Sequence, residues 1–381
     1  MSISMYRLKI IFLSFLFLFT AVITKTQSQV LLSEGSKVSV LTCGTGNEMY
    51  SLFGHTAIRI MDDENHIDQV YNYGTFDFNT SNFVLKFTKG DLQYMASSNT
   101  YNDFFNEYLY EKRAVYEQIL NLSSPQKQDL FDRLDRALLS DERYYTYKFI
   151  DKNCTTMVVD ILNETLGKKV IVKTADTEKT YREILYPYFA DHFFEKLGTS
   201  IIFGKKVDQK GTLLFLPLEL KQSLNTIKYN NQPISSPEKT ILEFQKEEAP
   251  YSWWNNMYTY LLILSAIVIV NNKKVYISYF FLLGLLGLFL FIVGFYSFHK
   301  ELEYNYNILL FNPAFMLLTY FYLKNRRTGM YYTALFSIIS LAVYFLLLMN
   351  KVHLLIALPI IVVNSIGLIR LIIQNRNQAA A

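Results

Sequence analysis

The chain has 381 residues, a formal net charge of +4 and a hydrophobic content of 51%. This length allows two domains, and the apolar residues are concentrated at the start of the chain and in its last third. The basic residues form no patch of the kind that binds nucleic acid, so we expect no nucleic-acid partner.

Residues 1–28 have the composition of a secretory signal. Arg7 and Lys9 precede the apolar stretch "IIFLSFLFLFTAVIT", and the polar "KTQSQ" follows it. The segment lacks a clean small-x-small cleavage site, so a cleaved signal peptide and an uncleaved signal anchor both fit the pattern. Either alternative predicts that residues 29–250, which are mixed in charge and rich in turns, form an exported domain.

A β-hairpin is predicted around the polar turn "DDENH". The β-prone runs "TAIRIM" and "IDQVYNY" flank this turn, a pattern that is typical of a hairpin. If the turn is centred on residue 64, His55 lies opposite about position 73. Either Asn72 or Tyr73 should then flank the imidazole of His55.

Two helices are predicted later in the exported domain. "SSPQKQDLFDRLDRALL" begins with serine caps and has Pro125 near its start. In "FIDKNCTTMVVDIL" and the residues after it, Gly167 is a suitable stop, and apolar side chains recur at helical spacing at Met157, Val158, Ile161, Leu162 and Leu166. Asp151 or Asn153 can cap the start of this helix, which places Cys154 in its first turn.

The position of Cys154 favours a reactive thiol. The partial positive charge at a helix N-terminus stabilises the thiolate over the thiol. A thiolate becomes a competent nucleophile when an imidazole lies nearby, and His55, which follows Gly54 at the start of a strand, is the predicted partner. A cysteine at a helix start is also a common packing residue, and this alternative stays open.

Five apolar runs follow Trp253, each of roughly membrane-spanning length. They predict an all-α membrane domain of about five helices over residues 251–375, with a tail at residues 376–381. The exported domain is predicted to be α+β. The runs are "WWNNMYTYLLILSAIVIV", "YISYFFLLGLLGLFLFIVGFYSF", "ILLFNPAFMLLTYFYL", "YYTALFSIISLAVYFLLLM" and "VHLLIALPIIVVNSIGLIRLII".

The distribution of basic residues predicts how these helices are oriented. If the first domain is exported, the loops on its own side contain only Lys300 and Lys351 as basic residues. The opposite loops and the C-terminus carry the larger basic set: Lys273, Lys274, Lys324, Arg326, Arg327, Arg370 and Arg376. This asymmetry follows the positive-inside rule, and it agrees with the export signal.

Several motifs also resemble a known family. The segments "LTCGTGNEMYSLFGHTAIRI", "YNYGTFDFNTSNFVLKFTKGDLQY", "RAVYEQILNLS" and "YKFIDKNCTTM" resemble the exported domain of the Lnb-type bacterial lipoprotein N-acyltransferases, formerly a domain of unknown function. The resemblance runs from about residue 35 to 165, and "YNYNILLFNP" at 304–313 resembles the membrane half. The order of the histidine strand before the cysteine helix resembles circularly permuted papain-like proteins of the NlpC/P60 superfamily.

The resemblance implies a function and a set of catalytic residues. Cys154 matches the nucleophile and His55 the base, and the third, orienting position falls near Asn72 or Tyr73. The implied reaction moves an acyl chain from a membrane phospholipid, through a Cys154 thioester, to the α-amino group of the diacylglyceryl-cysteine of a lipoprotein. The implied location is the bacterial inner membrane, as a multi-pass protein with its catalytic domain on the periplasmic face.

Further polar residues of the exported domain are candidates for the site. Glu48 and Asp77 lie in motif segments, where a site role and a turn-forming role are both open. Asn153 is a candidate for the site wall as well as for the helix cap. Cys43 is expected to line the site wall, with a disulfide to Cys154, which would abolish the chemistry, as the alternative.

In the membrane half, Asn305, Asn307 and Asn312 are candidates for substrate or lipid contacts, with ordinary helix packing as the alternative. Pro313 predicts a kink that leaves a carbonyl unpaired. The sequence has no His, Cys or carboxylate spacing that is typical of a metal site, and we expect neither a metal nor another cofactor.

Two other functional classes stay open beside the acyltransferase. A cell-wall peptidase or amidase would fit the NlpC/P60 resemblance, although it has little use for five membrane helices. A non-catalytic membrane-binding module would fit a papain-like fold without activity, although the cysteine and histidine argue against it.

Overall fold

The computed structural model describes residues 30–77, 79–245 and 252–376. The predicted signal, the predicted domain boundary at 250–251 and residues 377–381 of the predicted tail lie outside the described residues.

The exported domain is built on an antiparallel sheet. Its strands are β1 (Lys37–Cys43), β2 (His55–Asp62), β3 (Ile67–Thr75), β4 (Gln93–Thr100), β5 (Val115–Ile119), β6 (Tyr144–Thr146) and, after the short pair β7 (Lys228–Tyr229) and β8 (Gln232–Pro233), β9 (Lys239–Leu242). The sheet has the order β6-β4-β3-β2-β1-β5-β9, so the strand that carries His55 lies near its centre.

Helices surround this sheet and then form the C-terminal part of the chain. Those of the exported domain are α1 (Phe83–Lys89), α2 (Tyr101–Tyr110), α3 (Ser124–Leu139), α4 (Cys154–Thr165), α5 (Tyr181–Leu185), α6 (Phe193–Ile202) and α7 (Pro217–Leu224). Those of the C-terminal region are α8 (Met257–Val270), α9 (Lys273–Tyr296), α10 (Phe315–Leu323), α11 (Arg327–Leu348) and α12 (Leu354–Asn375). The predicted α+β class is confirmed, while the papain-like permutation stays a prediction.

The predicted hairpin is confirmed. β2 pairs with β3 in antiparallel register from Ala57 opposite Asn72 to Asp62 opposite Ile67. The turn is therefore centred half a residue from the predicted position. Because alternate residues of a strand point to opposite faces, Asn72 and Tyr73 lie on opposite sides of the sheet.

The two faces of the sheet bury different clusters. α3 and α4 cover one face, where the core includes Ile58, Ile60, Tyr73, Leu130 and Val158. α2 covers the other face, where the core includes Leu41, Cys43, Ala57, Phe104 and Tyr108. Burial on both faces fixes the register, since a slip of one residue would exchange these two sets.

Both predicted helices of the exported domain are confirmed. α3 begins after a capping box formed by Ser123 and Gln126. α4 begins at Cys154, with Asn153 rather than Asp151 as its cap. It ends at Thr165, and the positive φ of 69° at Gly167 gives the left-handed turn that a helix stop requires.

The C-terminal apolar runs form five helices, but only three helices of the described residues are long and apolar enough to cross a membrane: α9, α11 and α12. We expected five runs of membrane-spanning length, but two of the five helices, α8 and α10, are shorter than a membrane span. α8 has 14 residues, or about 21 Å, against a hydrocarbon core of about 30 Å. α10 has only 9 residues.

α10 is short because the third apolar run breaks at Asn312 and Pro313, as the sequence predicts. Pro313 has no N–H to donate to the carbonyl of Leu309, and Ser340 of α11 donates to that carbonyl instead, at 3.1 Å. The Asn312 side chain accepts from the N–H of Ala314 at 2.9 Å. The kink thus leaves a carbonyl that a neighbouring helix satisfies, as apolar surroundings require.

A buried polar network joins the exported domain to the C-terminal helices. Arg182 of α5 donates to Asp208 at 2.8 Å, and the hydroxyl of Tyr306 donates to the same carboxylate at 2.5 Å. Lys351, between α11 and α12, lies 3.1 Å from Asp208. The loops after α9 and after α11 therefore contact the exported domain, which agrees with the predicted orientation of the helices.

Candidate active site

Cys154 lies half-buried at the first position of α4. The Asn153 side chain fixes this helix start, because its Oδ1 accepts from the N–H groups of Thr155 and Thr156, both at 3.0 Å. Its Nδ2 donates to the carbonyls of Phe149 at 2.8 Å and Phe215 at 2.9 Å. All hydrogen bonds of this amide thus serve to position the helix, so Asn153 acts as the cap and not as part of the site wall.

His55 is the first residue of β2 and is also half-buried. Gly54 precedes it with a φ of 81°, in the left-handed region that favours glycine. A Cβ atom at this position would lie 2.4 Å from the carbonyl oxygen of Cys43. Only glycine therefore lets the chain pass β1 so closely and present the imidazole at the strand start.

The structure places His55 close enough to Cys154 for each group to shift the pKa of the other. Burial opposes the charged form of each group, but their interaction outweighs burial. The thiolate raises the pKa of His55 above its ordinary value, and the imidazolium with its hydrogen bond lowers the pKa of Cys154. Both pKa shifts are in the direction of thiolate and imidazolium, the charge state of an activated cysteine nucleophile.

The two predicted orienting residues occupy different places. Oδ1 of Asn72 lies 3.1 Å from Nε2 of His55. The amide nitrogen of Asn72 faces the carbonyl of Val70 at 3.4 Å, so its oxygen is the atom that faces the ring. Tyr73 is buried in the core, where its ring packs edge-on against Tyr145 at 6.3 Å.

This contact has a consequence for the histidine tautomer. An amide oxygen accepts a hydrogen bond, so Nε2 of His55 carries the proton when the ring is neutral. Nδ1 is then unprotonated and available to take the proton of the Cys154 thiol. The contact with Asn72 therefore favours the tautomer of the neutral ring in which Nδ1 is unprotonated.

Two threonines that the sequence analysis missed also contact the site. The backbone N–H of Thr56 donates to the sulfur of Cys154 and lowers its pKa. The hydroxyl of Thr155 lies 3.9 Å from the sulfur and 3.0 Å from the hydroxyl of Thr56. Each threonine directly follows a catalytic candidate, and this adjacency was the signal that could have identified them.

Glu48 and Asp77 lie outside this arrangement. Both side chains are exposed. The backbone carbonyl of Glu48 accepts from the N–H of Ser51 at 2.8 Å, and Oδ1 of Asp77 accepts from the N–H of Asn79 at 2.8 Å. These contacts are those of turn-forming residues.

Cys43 is a free cysteine, as is Cys154, so the structure has no disulfide between them. Cys43 lies opposite His55 in the β1–β2 register and is fully buried. Burial raises the pKa of its thiol to about 12, although a hydrogen bond to Tyr108 acts in the opposite direction. Cys43 therefore belongs to the core at the strand beside the histidine strand, and its raised pKa disfavours the thiolate.

The candidate lipid contacts in the membrane half are buried polar joints. Asn305 donates to the carbonyls of Ile201 and Ile202 at 2.9 and 2.8 Å. Asn307 donates to Ile201 at 2.8 Å and accepts from the hydroxyl of Tyr344 at 2.7 Å. Both side chains satisfy carbonyls at the end of α6, which a helix leaves unpaired, and so they do not face lipid. Asn312, which is also buried, caps the kink described above.

A cavity of about 880 Å³ lies beside α4. It is lined by Val159, Asp160 and Asn163 of the helix and by Lys168 and Lys169 after it, with neither Cys154 nor His55 among its lining residues. Over residues 30–77, 79–245 and 252–376, no three His, Cys, Asp or Glu side chains are grouped to hold a metal ion.

Comparison with protein families supports the resemblance that the motifs suggested. Residues 28–186 match the family described as the Lnb N-terminal periplasmic domain. The predicted resemblance to the Lnb family is therefore confirmed over this segment. The matched residues include β1 to β6, α4, Cys154 and His55. No curated protein and no solved structure matches the chain.

The Lnb domain and the C-terminal helices together define the kind of protein. The domain is periplasmic by family, and α9, α11 and α12 are long and apolar enough to cross a membrane. The chain is therefore a membrane protein with a periplasmic domain. β9, from residues beyond the family match, completes the edge of the Lnb sheet beside β5.

Proposed function

We propose that the protein is a lipoprotein N-acyltransferase that uses Cys154 as its nucleophile. The acyl donor is a membrane phospholipid, and the acceptor is the α-amino group of the diacylglyceryl-cysteine of a lipoprotein. The observation that carries the proposal is the contact of Cys154 with His55, and of His55 with Asn72, in an Lnb domain joined to membrane helices.

The first step forms an acyl-enzyme. The Cys154 thiolate attacks the carbonyl carbon of a phospholipid ester, and the C–O bond of the glycerol oxygen breaks. The imidazolium of His55 gives its proton to the leaving oxygen, which releases a lysophospholipid. Because Asn153 takes the N–H groups of Thr155 and Thr156, the N–H of Cys154 is left at the helix start to stabilise the oxyanion.

The second step transfers the acyl chain to nitrogen. The neutral α-amino group attacks the thioester carbonyl, a C–N bond forms and the C–S bond breaks. His55 takes the proton that the amine loses, and Cys154 leaves as a thiolate. The product is an amide, so the transfer is downhill and regenerates the ion pair for the next cycle.

The position of the domain supports lipid substrates. The Arg182–Asp208–Tyr306 network and the Asn305 and Asn307 joints hold the Lnb domain against the outer ends of the C-terminal helices. Both substrates are anchored in the outer leaflet of the inner membrane, so the domain needs to be held at that surface. We accordingly propose a multi-pass protein of the inner membrane, with the catalytic domain on the periplasmic face.

The acyl-enzyme is the direct test of this proposal. Incubation of the purified full-length protein with phospholipid alone should add one acyl mass to the peptide that contains Cys154. Neutral hydroxylamine should remove this mass, because it cleaves thioesters. A peptide with a diacylglyceryl-cysteine N-terminus should discharge the acyl chain onto its amine, whereas the same peptide acetylated at its amine should not. Product formation without any acylated Cys154 would rule out the covalent mechanism.

Cells provide the complementary test. Mass spectrometry of lipoprotein N-termini should show N-acylated cysteine when the protein is present and a free amine when it is deleted. Unchanged lipoproteins with altered cell-wall fragments would instead identify a peptidase or amidase.

Reporter fusions test the membrane topology. Fusions near Lys273 and Lys324 should be cytoplasmic and a fusion near Lys300 periplasmic, and the opposite pattern would contradict the proposed topology.

A further inference from the structure

α1 presents apolar side chains to the outside of the protein. Its sequence is "FVLKFTK", and none of its residues is buried. Val84 is 71% exposed, Leu85 70% and Phe87 47%. Single exposed apolar side chains are common, but three within four residues of one helix form a patch that water solvates poorly.

The end of α1 is joined directly to the end of α9, the first of the three long apolar helices. Residues 297–299, which follow α9, bind three successive carbonyls of α1. The hydroxyl of Ser297 donates to Thr88 at 2.8 Å, and the N–H of Phe298 donates to Lys89 at 2.8 Å. Nε2 of His299 lies 2.9 Å from the carbonyl oxygen of Phe87.

The end of α1 is packed tightly against residues 297–299 as well as hydrogen-bonded to them. Gly90 ends α1 with a φ of 71°, and a Cβ atom there would lie 2.9 Å from the ring of His299. The last carbonyls of a helix can take partners from outside the helix, and here the chain that leaves α9 supplies donors to three of them. The depth of α1 relative to α9 is therefore fixed by these contacts with the α1 carbonyls.

The depth of this joint is that of a membrane interface. α9 has 24 residues, or about 36 Å, which exceeds a hydrocarbon core of about 30 Å. Its last turn and the residues after it expose the rings of Phe295, Tyr296 and Phe298. Aromatic side chains of this kind concentrate where lipid headgroups begin. The exposed patch of α1 is continuous with this ring cluster through the three carbonyl contacts.

A row of aromatic rings leads from α1 towards the catalytic cysteine. Phe83 of α1 packs against Phe76 with ring centroids 5.9 Å apart, and Phe76 packs against Tyr94 at 5.0 Å. Tyr94 stacks on Tyr147 at 4.3 Å, and Tyr147 and Cys154 pack against the same core cluster of the domain. The row gives an apolar face between α1 and the core cluster against which Cys154 packs.

We propose that α1 is an interfacial helix that inserts Val84, Leu85 and Phe87 into the outer leaflet beside α9 and forms the entry for the phospholipid acyl chain. The insertion follows from the exposed patch and the joint to α9. The entry role rests on the proposed acyltransferase function, because it supposes that Cys154 takes an acyl chain from that leaflet.

Photocrosslinking tests the insertion without reference to activity. A benzophenone amino acid replaces Leu85 in the full-length protein, which is placed in vesicles of phosphatidylethanolamine and phosphatidylglycerol. The matched control carries the probe at Leu139, which ends α3 and is also 70% exposed. Mass spectrometry should find phospholipid adducts at position 85 and only background at position 139. Equal adducts at both positions, or crosslinks from position 85 to polypeptide alone, would overturn the insertion.

A charged substitution tests the entry. Leu85→Glu should lower the rate of Cys154 acylation from vesicle phospholipid about tenfold, because an apolar anchor of this size is lost from lipid. The rate with a water-soluble ester serves as reference, so the ratio of the two rates should fall. Leu139→Glu should leave this ratio unchanged. An unchanged ratio for Leu85→Glu would overturn the entry role.

The photocrosslinking and acylation experiments distinguish failure of the α1 insertion from failure of the proposed acyltransferase function. If the unsubstituted protein never forms an acylated Cys154, the proposed function and the entry role both fail. Lipid adducts at position 85 would then still establish α1 as an interfacial helix. If Cys154 is acylated normally but position 85 gives no lipid adduct, the function stands and the inference about α1 falls.

Discussion

The two cysteines of the chain lie on either side of the same histidine, yet their surroundings give them opposite chemistry. Cys43 sits opposite His55 in the β1–β2 register, is fully buried, and has its pKa raised to about 12 by that burial. Cys154 sits at a helix start, where burial is outweighed by the His55 imidazolium and by the Thr56 N–H, and its pKa is lowered. Proximity to a histidine is therefore not enough to activate a thiol.

What separates the two sites is the charge of His55 and the set of hydrogen-bond donors that act on the sulfur of Cys154. Donors to the sulfur favour its charged form, and burial without enough of them favours the neutral thiol. Cys154 has the imidazole, a backbone N–H and the Thr155 hydroxyl, whereas Cys43 has the Tyr108 hydroxyl within an apolar cluster. Each prediction below alters one part of this difference.

The largest effect should come from removing the sulfur itself. Cys154→Ala should lower acyl transfer by a factor on the order of 10³ or more, because the nucleophile is lost. Cys43→Ala, which removes a thiol of the same size from the same region, should retain most of the activity. N-acylation of a diacylated lipopeptide by the purified proteins measures both effects.

His55→Ala should be nearly as severe, and because base and nucleophile act as one unit, the double variant with Cys154→Ala should be little worse than either single variant. Membrane insertion and expression of all variants are the controls. If Cys43→Ala lost activity as completely as Cys154→Ala, the assignment of Cys43 to the core would be wrong.

The orienting residue should have a smaller effect. Asn72→Ala should lower the rate by roughly 10- to 100-fold, less than the roughly 10²–10⁴ that general base catalysis can contribute, because the imidazole is still present but no longer held. Tyr73→Phe is the matched control from the neighbouring position, and it should stay close to wild type because it keeps the packed ring. The reverse order of these two variants would identify Tyr73 as the orienter.

This pair of residues also shows how far the sequence alone could lead. The turn "DDENH" placed position 72 or 73 beside His55, since hairpin register follows from the turn. Choosing between them needed the exact turn centre, and an error of half a residue is enough to exchange the two faces of the strand. Similarly, "DKNC" offered two caps for α4, and only the contacts of Asn153 with Phe149 and Phe215 distinguish them.

The membrane half was less predictable, for a physical reason. Apolar composition reports which segments avoid water, but it does not report where a helix breaks. The third run is apolar on both sides of Pro313, so its composition does not reveal the break. The backbone groups at the break bind Ser340, which is distant in sequence, and Asn312, which is adjacent, and composition predicts neither contact. Asn305 and Asn307 are candidates for lipid contact by sequence alone, because their partners in α6 are 104 and 106 residues earlier in the chain.

The pH dependence of thiol reactivity should distinguish the two cysteines in one sample. Because the pKa of Cys154 is lowered, its thiolate should persist below the ordinary thiol range, and alkylation by iodoacetamide should decline only as pH falls through that lowered value. His55→Ala should shift this decline to higher pH, since burial then acts without the imidazolium. Cys43 should stay unmodified in the folded protein at every pH at which the fold survives.

Mass spectrometry of the two cysteine peptides across a pH series measures both reactions at once. Treatment in denaturant, where both thiols are exposed, calibrates the detection of each peptide. Alkylation of Cys43 in parallel with Cys154 under native conditions would contradict the difference between the two sites.

The smallest effect concerns the helix cap, and it separates stability from reactivity. Asn153→Ala and Ser123→Ala each remove the first residue of a capping box, at the start of α4 and of α3. Each should lower the free energy of unfolding by about 1 kcal/mol, the usual contribution of a cap. Only Asn153→Ala should also slow the alkylation of Cys154, because it loosens the helix start that holds the thiolate against His55 and the Thr56 N–H. Thermal unfolding in detergent and the alkylation rate at one pH give the two readings. Equal slowing by Ser123→Ala would mean that general loss of stability, rather than the geometry of the α4 start, controls the thiol.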